Sequence, residues 1–413
     1  MISLCNGWEF SSQWSEDFMR GEGAGEPVRL PHNVKELPLH YPGLEDYEGV
    51  WGYRRKLGIP ESCRGKKLFL QFDGAAHQAW VYVNGRFAGE HHCGYTAFRL
   101  DITELVNFGG ENLVAVKLNS REDGSIPPFG FVIDYLTYGG LYREAWLDVR
   151  EQSYIEDIFV TTPGLTTARV RTKVKGNWDR LRLAIMDGAE ELLSTLGGTE
   201  QLLSLPKAEP WDIFSPKLYT LRAELLDKEG EVLDTQQVSF GFRTAEFKAE
   251  GFYLNGKKTF LRGLNRHQSY PYIGYAAPES LQREDARILK QELKCTAVRT
   301  SHYPQSQYFI DECDRLGLPV FTELNLVSDG YAENMAKAAA KNLPLFLSST
   351  MLYRRETQYI KQQVAEFGKP VHYIYHIGQY LPDWHPWENY KNFFVGNART
   401  GGVREIFGID LPW

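Results

Sequence analysis

The sequence predicts a multidomain β plus α/β protein. It indicates a jelly-roll β-sandwich over residues 1–150, an immunoglobulin-like β-sandwich over residues 151–243, and an incomplete (β/α)8 barrel over residues 244–413. Short segments of alternating apolar and polar residues, separated by turn residues at intervals of about 8–12 positions, predict the two sandwiches. From residue 252 onward, strand-like and helix-like segments alternate, which implies parallel strands joined by crossover helices.

The first domain consists of short strand-like segments separated by tight turns. Residues 50–57 alternate between apolar and polar side chains, as a half-buried strand does. Residues 79–83 run into Asn84-Gly85, which is a hairpin signal because both central positions of a two-residue turn need a positive φ. Similar segments lie at residues 67–72, 98–102 and 112–118. This series predicts a sandwich or jelly roll.

The second domain repeats this pattern in a shorter stretch. Alternating segments lie at residues 155–160, 168–174, 181–185, 219–226 and 237–242. They suit a small immunoglobulin-like sandwich of about seven strands. Residues 151–243 contain no Cys, so we expect no disulfide there. No motif in this segment indicates a catalytic site, which favours a spacer domain that orients its neighbours.

In the third domain, polar residues follow three successive apolar strands. Asn255-Gly256 is a second hairpin signal, and helical runs at residues 279–293 and 308–315 separate the strands that follow it. Because the carboxyl ends of all barrel strands open on one face, we expect the polar residues to converge on one pocket. They are Arg262, Asn265 and His267 after the first strand, Arg299 and His302 after the second, and Glu323 after the third.

Three motifs occur in order along this region. Residues 262–267 read Arg-Gly-Leu-Asn-Arg-His, residues 298–304 read Val-Arg-Thr-Ser-His-Tyr-Pro, and residues 314–318 read Asp-Arg-Leu-Gly-Leu. They resemble the opening barrel motifs of glycoside hydrolase family 2, the group of β-galactosidases, β-glucuronidases and β-mannosidases. The order of the segments in residues 1–150 also resembles the sugar-binding domain that opens these enzymes.

The resemblance implies roles for individual residues. It implies that His267 and His302 contact the sugar and that Arg299 lies next to the nucleophile. We add Asn265 to this substrate-binding group, whereas Arg262 and Glu323 are expected to support it. For Glu323, we expect a structural carboxylate that pairs with Arg262 or Arg299.

A further pair of candidates comes from the end of the first domain. By pattern alone, residues 134–144 form a Gly-containing loop that feeds a strand at 145–149. The segment also resembles the family segment that carries an acidic residue to the rim of the barrel pocket. The resemblance implies that Asp134 and Glu144 bind the sugar. A carboxylate suits this role because it accepts two hydrogen bonds from adjacent hydroxyls.

The catalytic carboxylates cannot be assigned. Retaining glycosidases need two carboxylates about 5 Å apart, and the resemblance implies an acid/base in an Asn-Glu pair after the fourth barrel strand and a nucleophilic Glu after the seventh. The chain contains no Asn-Glu dipeptide, and only 162 residues run from Phe252 to Trp413, against about 250 for a full barrel. We therefore expect a truncated or divergent enzyme that lacks the catalytic pair, with residues 327–399 either frame-shifted or divergent.

Metals and cofactors are not expected. Some family members bind magnesium through a Glu and a His shortly after the position of Glu323, but Val327 and Asp329 stand there in this chain. A net charge of -7 with scattered signs argues against nucleic acid or an anionic membrane as partner. The expected partner is a carbohydrate, and a homo-oligomer is compatible with the sequence.

Cysteine usage and the N-terminus indicate the cellular location. Five widely spaced cysteines suggest reduced thiols and therefore a cytoplasmic protein. The first residues show no signal-peptide pattern, and no apolar run approaches membrane-spanning length. Two functions remain open at this point. One is a β-galactosidase-like enzyme that hydrolyses terminal β-glycosidic bonds by a retaining double displacement, and the other is a non-catalytic carbohydrate-binding protein or pseudoenzyme.

Overall fold

The computed structural model describes residues 1–39, 43–123, 126, 135–248, 250–323, 359 and 362. Residues 1–121 and 138–324 form one compact unit. Residues 122–137 and 325–413 form a second unit, of which the structure describes residues 122, 123, 126, 135–137, 359 and 362. Asp134 lies outside the described residues, as does the segment 327–399 apart from 359 and 362.

The N-terminal part of the first unit is a sandwich of two antiparallel sheets. Its strands are β1 (Ile2–Ser3), β2 (Trp8–Ser11), β3 (Glu26–Val28), β4 (Val50–Ile59), β5 (Lys67–Phe72), β6 (Gln78–Val83), β7 (Arg86–His92), β8 (Phe98–Asp101), β9 (Gly110–Asn119) and β10 (Ala145–Arg150). One sheet has the order β1-β10-β5-β8 and the other the order β3-β2-β4-β9-β6-β7. A short helix α1 (Glu16–Met19) and single helical turns at Leu44–Asp46, Glu61–Cys63 and Thr103–Leu105 complete it.

Apolar side chains from both sheets form the core of this sandwich. Strands β4 and β9 pair over ten residues, from Val50 opposite Asn119 to Ile59 opposite Gly110. Because successive side chains on a strand point to opposite faces, the inward-facing set forms one continuous layer. Its members come from both sheets and include Trp8, Tyr53, Leu68, Leu70, Phe72, Val81, Val116 and Leu147. The predicted first sandwich is thus confirmed.

A second sandwich follows with seven strands. They are β11 (Tyr154–Gly164), β12 (Thr167–Lys175), β13 (Arg180–Asp187), β14 (Glu190–Gly197), β15 (Glu200–Ser204), β16 (Tyr219–Leu226) and β17 (Val232–Phe240). The two sheets have the orders β11-β12-β15 and β14-β13-β16-β17. Every second residue of β16 is buried, beginning with Tyr219, and these residues pack with Leu181, Leu183 and Ile185 of β13. The strand count agrees with the predicted immunoglobulin-like sandwich.

The third part begins with a hairpin and continues as a parallel α/β structure. The hairpin strands are β18 (Ala245–Lys248), β19 (Gly251–Leu254) and β20 (Lys257–Lys258). Strands β21 (Gly263–Asn265), β22 (Ala297–Thr300) and β23 (Val320–Thr322) are parallel neighbours. Between them lie helix α2 (Glu279–Arg287), which continues as one wider helical turn over Ile288–Glu292, and helix α3 (Gln307–Leu316). The predicted start of an α/β barrel is therefore confirmed.

Helices α2 and α3 cover one face of the parallel strands. Ala286 and Leu289 from the first helical segment meet Phe309 and Cys313 from α3 over Val298 of β22. Helix α3 ends at Leu316 and is followed by Gly317, whose φ of 73° is the left-handed conformation that commonly closes a helix. No helix among the described residues is long and apolar enough to cross a membrane. All five cysteines are free.

The second sandwich is attached to the barrel through the segment before β16. The indole Nε1 of Trp211 donates to the carbonyl oxygen of Asp314 in α3 at 2.7 Å. Lys290 donates to the Ile213 carbonyl at 2.7 Å, and the Asn255 amide donates to the Trp211 carbonyl at 2.9 Å. These bonds run from the segment before β16 to both helices and the hairpin of the third part, so the second sandwich is held in place by direct contacts.

Candidate functional site

The ends of the three parallel strands bring the predicted polar residues together. In the sheet register, Asn265 of β21 stands beside Arg299 of β22, and Arg299 stands beside Phe321 of β23. Residues that follow these positions therefore leave the sheet at the same edge, as expected for parallel strands. His267, Arg299, His302 and Glu323 form one cluster there, which we call the strand-end cluster.

Glu323 is the centre of this cluster. Its Oε2 lies 2.5 Å from Nε of Arg299, and its Oε1 lies 2.8 Å from Nδ1 of His302. Burial acts to raise the pKa of Glu323, but the hydrogen bond and charge of His302, together with the charge of Arg299, outweigh it and lower the pKa overall. The carboxylate is thus kept ionised, and it orients the guanidinium and the imidazole.

His267 occupies the other side of the cluster. Its Nδ1 lies 3.1 Å from the hydroxyl of Tyr303, and its ring stands 5.5 Å from the His302 ring at an interplanar angle of 76°. Burial lowers the pKa of His267 to about 4, and His302 and Arg299 add to this decrease. The His267 imidazole is therefore neutral at neutral pH and can both donate and accept a hydrogen bond.

Arg266 fixes the chain immediately before His267. It is 6% exposed, and its guanidinium lies 2.8 Å and 2.5 Å from Oδ2 of Asp285 through Nε and Nη2. It also donates to the side-chain oxygens of Gln282, at 2.8 Å, and of Gln305. Because these acceptors belong to α2 and to the loop before α3, Arg266 ties the end of β21 to both crossover connections.

A second buried arginine approaches the cluster from the first sandwich. Arg143 donates through Nη2 to Oε1 of Gln268 and to the Pro304 carbonyl, each at 3.0 Å. Beside it, the ring of Tyr95 stacks on that of Tyr303 with centroids 4.3 Å apart and planes 11° apart. The sequence reasoning missed Arg143, although it lies next to Glu144. The available signal was a cation that follows the apolar pair Leu141-Tyr142 just before a predicted strand.

Other predicted residues lie apart from the cluster. Glu144 lines an open cavity of about 1210 Å³ between the first sandwich and α2, together with Trp146, Glu279, Arg283 and Tyr308. Burial raises the pKa of Glu144 to about 6. No hydrogen bond or ion pair among the described residues joins Glu144 to the strand-end cluster. Its role as a sugar ligand therefore stays a prediction.

Asn265 and Arg262 are exposed on and before β21. The backbone of Arg262 pairs with residues 296 and 297: its N–H donates to Oγ1 of Thr296, and its carbonyl accepts from the N–H groups of Thr296 and Ala297. Of the two predicted partners of Glu323, the structure pairs it with Arg299. Arg262 thus joins the start of β22 through its backbone, and its supporting role in the site stays a prediction.

The cluster is suited to hydrogen bonding with a polyhydroxylated ligand. It presents one anchored carboxylate, one guanidinium and two imidazoles, which together offer donors and acceptors at close spacing. Among the residues that the structure describes, no group of three or more His, Cys, Asp or Glu side chains could hold a metal ion. The arrangement can bind hydroxyl groups through these side chains.

The sequence matches three models of one family. Residues 15–150 match the sugar-binding domain of the glycosyl hydrolases family 2, residues 153–243 match the domain described as glycosyl hydrolases family 2, and residues 245–367 match the family's TIM barrel domain. The three matches follow one another along the chain and include every residue of the strand-end cluster.

Curated proteins with similar sequences are glycosidases. The chain is 38% identical over 343 residues to a β-galactosidase of Thermoanaerobacter pseudethanolicus, covering 78% of this chain and 46% of that protein. It is 39% identical over 350 residues to a β-galactosidase of Thermoanaerobacterium thermosulfurigenes, covering 78% of this chain and 48% of that protein. The chain thus spans about half the length of the curated relatives that it matches.

Solved structures give the same result. A β-glucuronidase of Bacteroides uniformis superposes with a TM-score of 0.70 at 27% identity, covering 80% of this chain and 43% of that one. An FMN-binding β-glucuronidase of Faecalibacterium prausnitzii superposes with a TM-score of 0.69 at 30% identity, covering 79% of this chain and 52% of that one. The two sandwiches and the beginning of the barrel are therefore shared with these structures.

Proposed function

Because the chain belongs to glycosyl hydrolase family 2, we propose that it carries the sugar-binding part of a β-glycosidase of the β-galactosidase type. The proposed reaction is hydrolysis of terminal β-glycosidic bonds with retention of configuration. The observation that carries the proposal is the strand-end cluster, in which a carboxylate anchors an arginine and a histidine beside a second, neutral histidine.

In this proposal, each member of the cluster has a distinct task. His267, His302 and Arg299 hydrogen-bond the hydroxyls of the terminal sugar, with Asn265 at the edge of the site. Glu323 acts as a positioning residue, because its two oxygens are already engaged by Arg299 and His302. Asp134 and Glu144 stay candidate sugar ligands on the strength of the family resemblance.

The catalytic pair is not assigned to described residues. Double displacement requires one carboxyl group that protonates the leaving oxygen and a second that attacks the sugar, about 5 Å apart. Glu323 is a poor proton donor because its contacts with His302 and Arg299 lower its pKa. The chain contains no Asn-Glu dipeptide, which favours a second candidate function, a non-catalytic carbohydrate-binding protein.

The chain and its Glu323→Gln variant are tested for hydrolysis of a panel of nitrophenyl β-glycosides. This assay separates the two candidate functions. Turnover by the chain supports the enzyme. Absence of turnover, combined with binding of a non-hydrolysable thioglycoside, supports the binding protein. Turnover that is abolished in Glu323→Gln without loss of thioglycoside binding would place Glu323 in catalysis and contradict its assignment as a positioning residue.

The binding site itself is tested by a matched pair of histidine variants. His302→Gln should weaken thioglycoside binding by roughly tenfold or more, because a hydrogen bond and its anchored geometry are lost. His92→Gln makes the same change on β7 of the first sandwich and should leave binding unchanged. If neither the parent chain nor any variant binds a glycoside, both candidate functions fail.

We also propose a carbohydrate as the partner and the cytoplasm as the location. The five free cysteines support a reducing compartment. Thiol labelling of cell extract that has been quenched in acid and then denatured tests this, because three of the five cysteines are buried in the native protein. A cysteine protected by a disulfide would contradict it.

A further inference from the structure

Arg143 is a buried cation of the first sandwich that donates hydrogen bonds both to the barrel loops and to its own sandwich. It is 8% exposed. Besides Gln268 and Pro304, its Nη1 donates to the backbone carbonyls of Tyr95 at 2.9 Å and Asp73 at 3.2 Å. All four acceptors are neutral oxygens, and no ion pair to Arg143 occurs among the described residues. A buried charge held only by neutral acceptors is costly, so its position calls for a role.

The acceptors of Arg143 lead to both histidines of the strand-end cluster. Gln268 directly follows His267 in the chain, and the amide N–H of Gln268 also donates to the Tyr303 hydroxyl at 3.3 Å. Pro304 follows His302 by two residues. One guanidinium therefore fixes the two loops that carry the imidazoles.

A third connection runs through aromatic rings. Arg143 holds the backbone of Tyr95, and the Tyr95 ring stacks on Tyr303. The hydroxyl of Tyr303 is in turn bonded to Nδ1 of His267 at 3.1 Å. The orientation of the His267 ring thus depends on Arg143 through Gln268 and through Tyr95.

We propose that Arg143 is a positioning residue through which the first sandwich sets the spacing of His267 and His302 for sugar recognition. The inference rests on the proposed function, since it names a residue that prepares the same site. It assigns to the first sandwich a task in addition to any direct sugar contact. The first sandwich acts on the two histidines through the hydrogen bonds of the Arg143 side chain, which itself makes no contact with the sugar in this proposal.

The shape of the site explains why arginine is required there. The planar guanidinium reaches acceptors on two loops and on the sandwich at once, whereas a lysine ammonium is a point charge on a flexible stem. Gly74 makes room for it: a Cβ at that position would lie 2.9 Å from Cδ of Arg143 and 3.0 Å from Cζ of Tyr142. Gly74→Ala therefore crowds the Arg143 stem and the Tyr142 ring while keeping the guanidinium.

A matched buried arginine in the same sandwich provides the control. Arg54 is 7% exposed and also holds backbone carbonyls, those of Phe18, Glu22 and Gly23, in addition to its ion pair with Glu9. These contacts lie within the first sandwich. Arg54→Lys should thus perturb the stability of the sandwich in a way comparable to Arg143→Lys, without a path to the histidines.

The experiment combines sugar binding with imidazole NMR on the full chain. Affinity for isopropyl β-D-thiogalactoside is measured by titration, and the ring resonances of His267 and His302 are assigned with single His→Gln variants. Arg143→Lys should weaken binding about 10–100-fold and shift both imidazole signals. Arg54→Lys should do neither. Where Arg143→Lys does not fold, Gly74→Ala replaces it with the same expectation.

The outcomes distinguish this inference from the proposed function. If the parent chain does not bind the thiogalactoside or other thioglycosides, the proposed function fails, and the imidazole signals alone then decide the role of Arg143. Unchanged His267 and His302 signals in folded Arg143→Lys or Gly74→Ala would overturn the inference. Equal effects of Arg143→Lys and Arg54→Lys on binding and on the signals would also overturn it, because both would then reflect general loss of structure.

Discussion

Replacing Arg266 with methionine should destabilise the barrel part of the protein strongly. Methionine keeps much of the apolar volume, so the stem can still pack on Phe309, whose ring centre lies 4.1 Å from the Arg266 guanidinium carbon. The guanidinium and all its hydrogen bonds are removed. The change thus tests the polar contacts of Arg266 and not the packing.

The magnitude follows from the partners left behind. Gln282 and Gln305 are 2% and 7% exposed, and each would lose the bond to its side-chain oxygen, at about 1–3 kcal/mol for a buried unsatisfied acceptor. Asp285 would lose its cation but keep the hydroxyl of Tyr270 as a partner. Removal of one member of a buried ion pair costs about 3–5 kcal/mol, and we expect Arg266→Met to fall in this range.

Native-state hydrogen exchange is the suitable assay, because unfolding of a chain with several domains need not be two-state. The backbone amides of β22 report on the barrel, and those of β4 report on the first sandwich. Arg266→Met should lower the opening free energy of β22 and leave that of β4 unchanged. Lys56→Met, which removes an exposed pair with Glu111 at 3.0 Å, should change neither.

A decrease in the β22 opening free energy of less than about 1 kcal/mol would refute the reasoning, since that is the value for an exposed ion pair. It would mean that water replaces the guanidinium at Gln282, Gln305 and Asp285. Equal losses in β22 and β4 would also contradict it, because Arg266 would then support the whole compact unit.

Three further predictions concern the helix end and the cluster. In thermal melts, Gly317→Ala should destabilise the protein more than Gly256→Ala does. Both positions have a positive φ, which costs about 1–2 kcal/mol for alanine. Only at Gly317 would the new Cβ meet a carbonyl oxygen, that of Ile213 at 2.5 Å. Equal losses would rule out the clash. The ring of His267 should titrate near pH 4 by NMR. Because this pKa lies below the ordinary histidine value of about 6.5, the His267 contribution to stability is complete above the unfolded pKa and should be lost as the pH falls from that unfolded pKa to the folded pKa. A midpoint near the ordinary value would show that the ring is solvated. Because the folded pKa of Glu323 is lowered, its contribution is complete above the unfolded pKa and disappears as the pH falls through the folded one. Glu323→Gln should therefore be less stable than the parent at neutral pH and approach it in acid, and a stability difference independent of pH would argue against the ion pair.

The sequence predicted those parts of the site that follow local rules. Alternating patterns and hairpin signals located the strands, and parallel strands must end at one edge, so Arg299, His302 and Glu323 could be expected together. The prediction of one helical run over residues 279–293 agrees with α2 and its wider last turn. The hydrophobic period and the order of strands and helices can both be read from short stretches of sequence.

Contacts over long sequence distances could not be predicted in this way. Arg143 and Pro304 are 161 residues apart, and no periodicity relates them. The same limitation applies to the position of the Glu144 side chain: the family resemblance pointed to its segment but not to the direction of the side chain. Adjacent side chains in extended chain point to opposite sides. Arg143 faces the barrel loops, whereas Glu144 faces the cavity beside α2.

The bond between the Trp211 indole and the Asp314 carbonyl has a consequence for protein engineering. Trp211 precedes the last two strands of the second sandwich, while Asp314 lies near the end of α3. A chimaera joined at residue 243 would therefore separate an indole from its acceptor and Lys290 from the Ile213 carbonyl. Successful exchange of the second sandwich requires a donor domain that supplies the same tryptophan loop, or a barrel recipient with a matching helix end. The unit of recombination in this protein is larger than a sandwich.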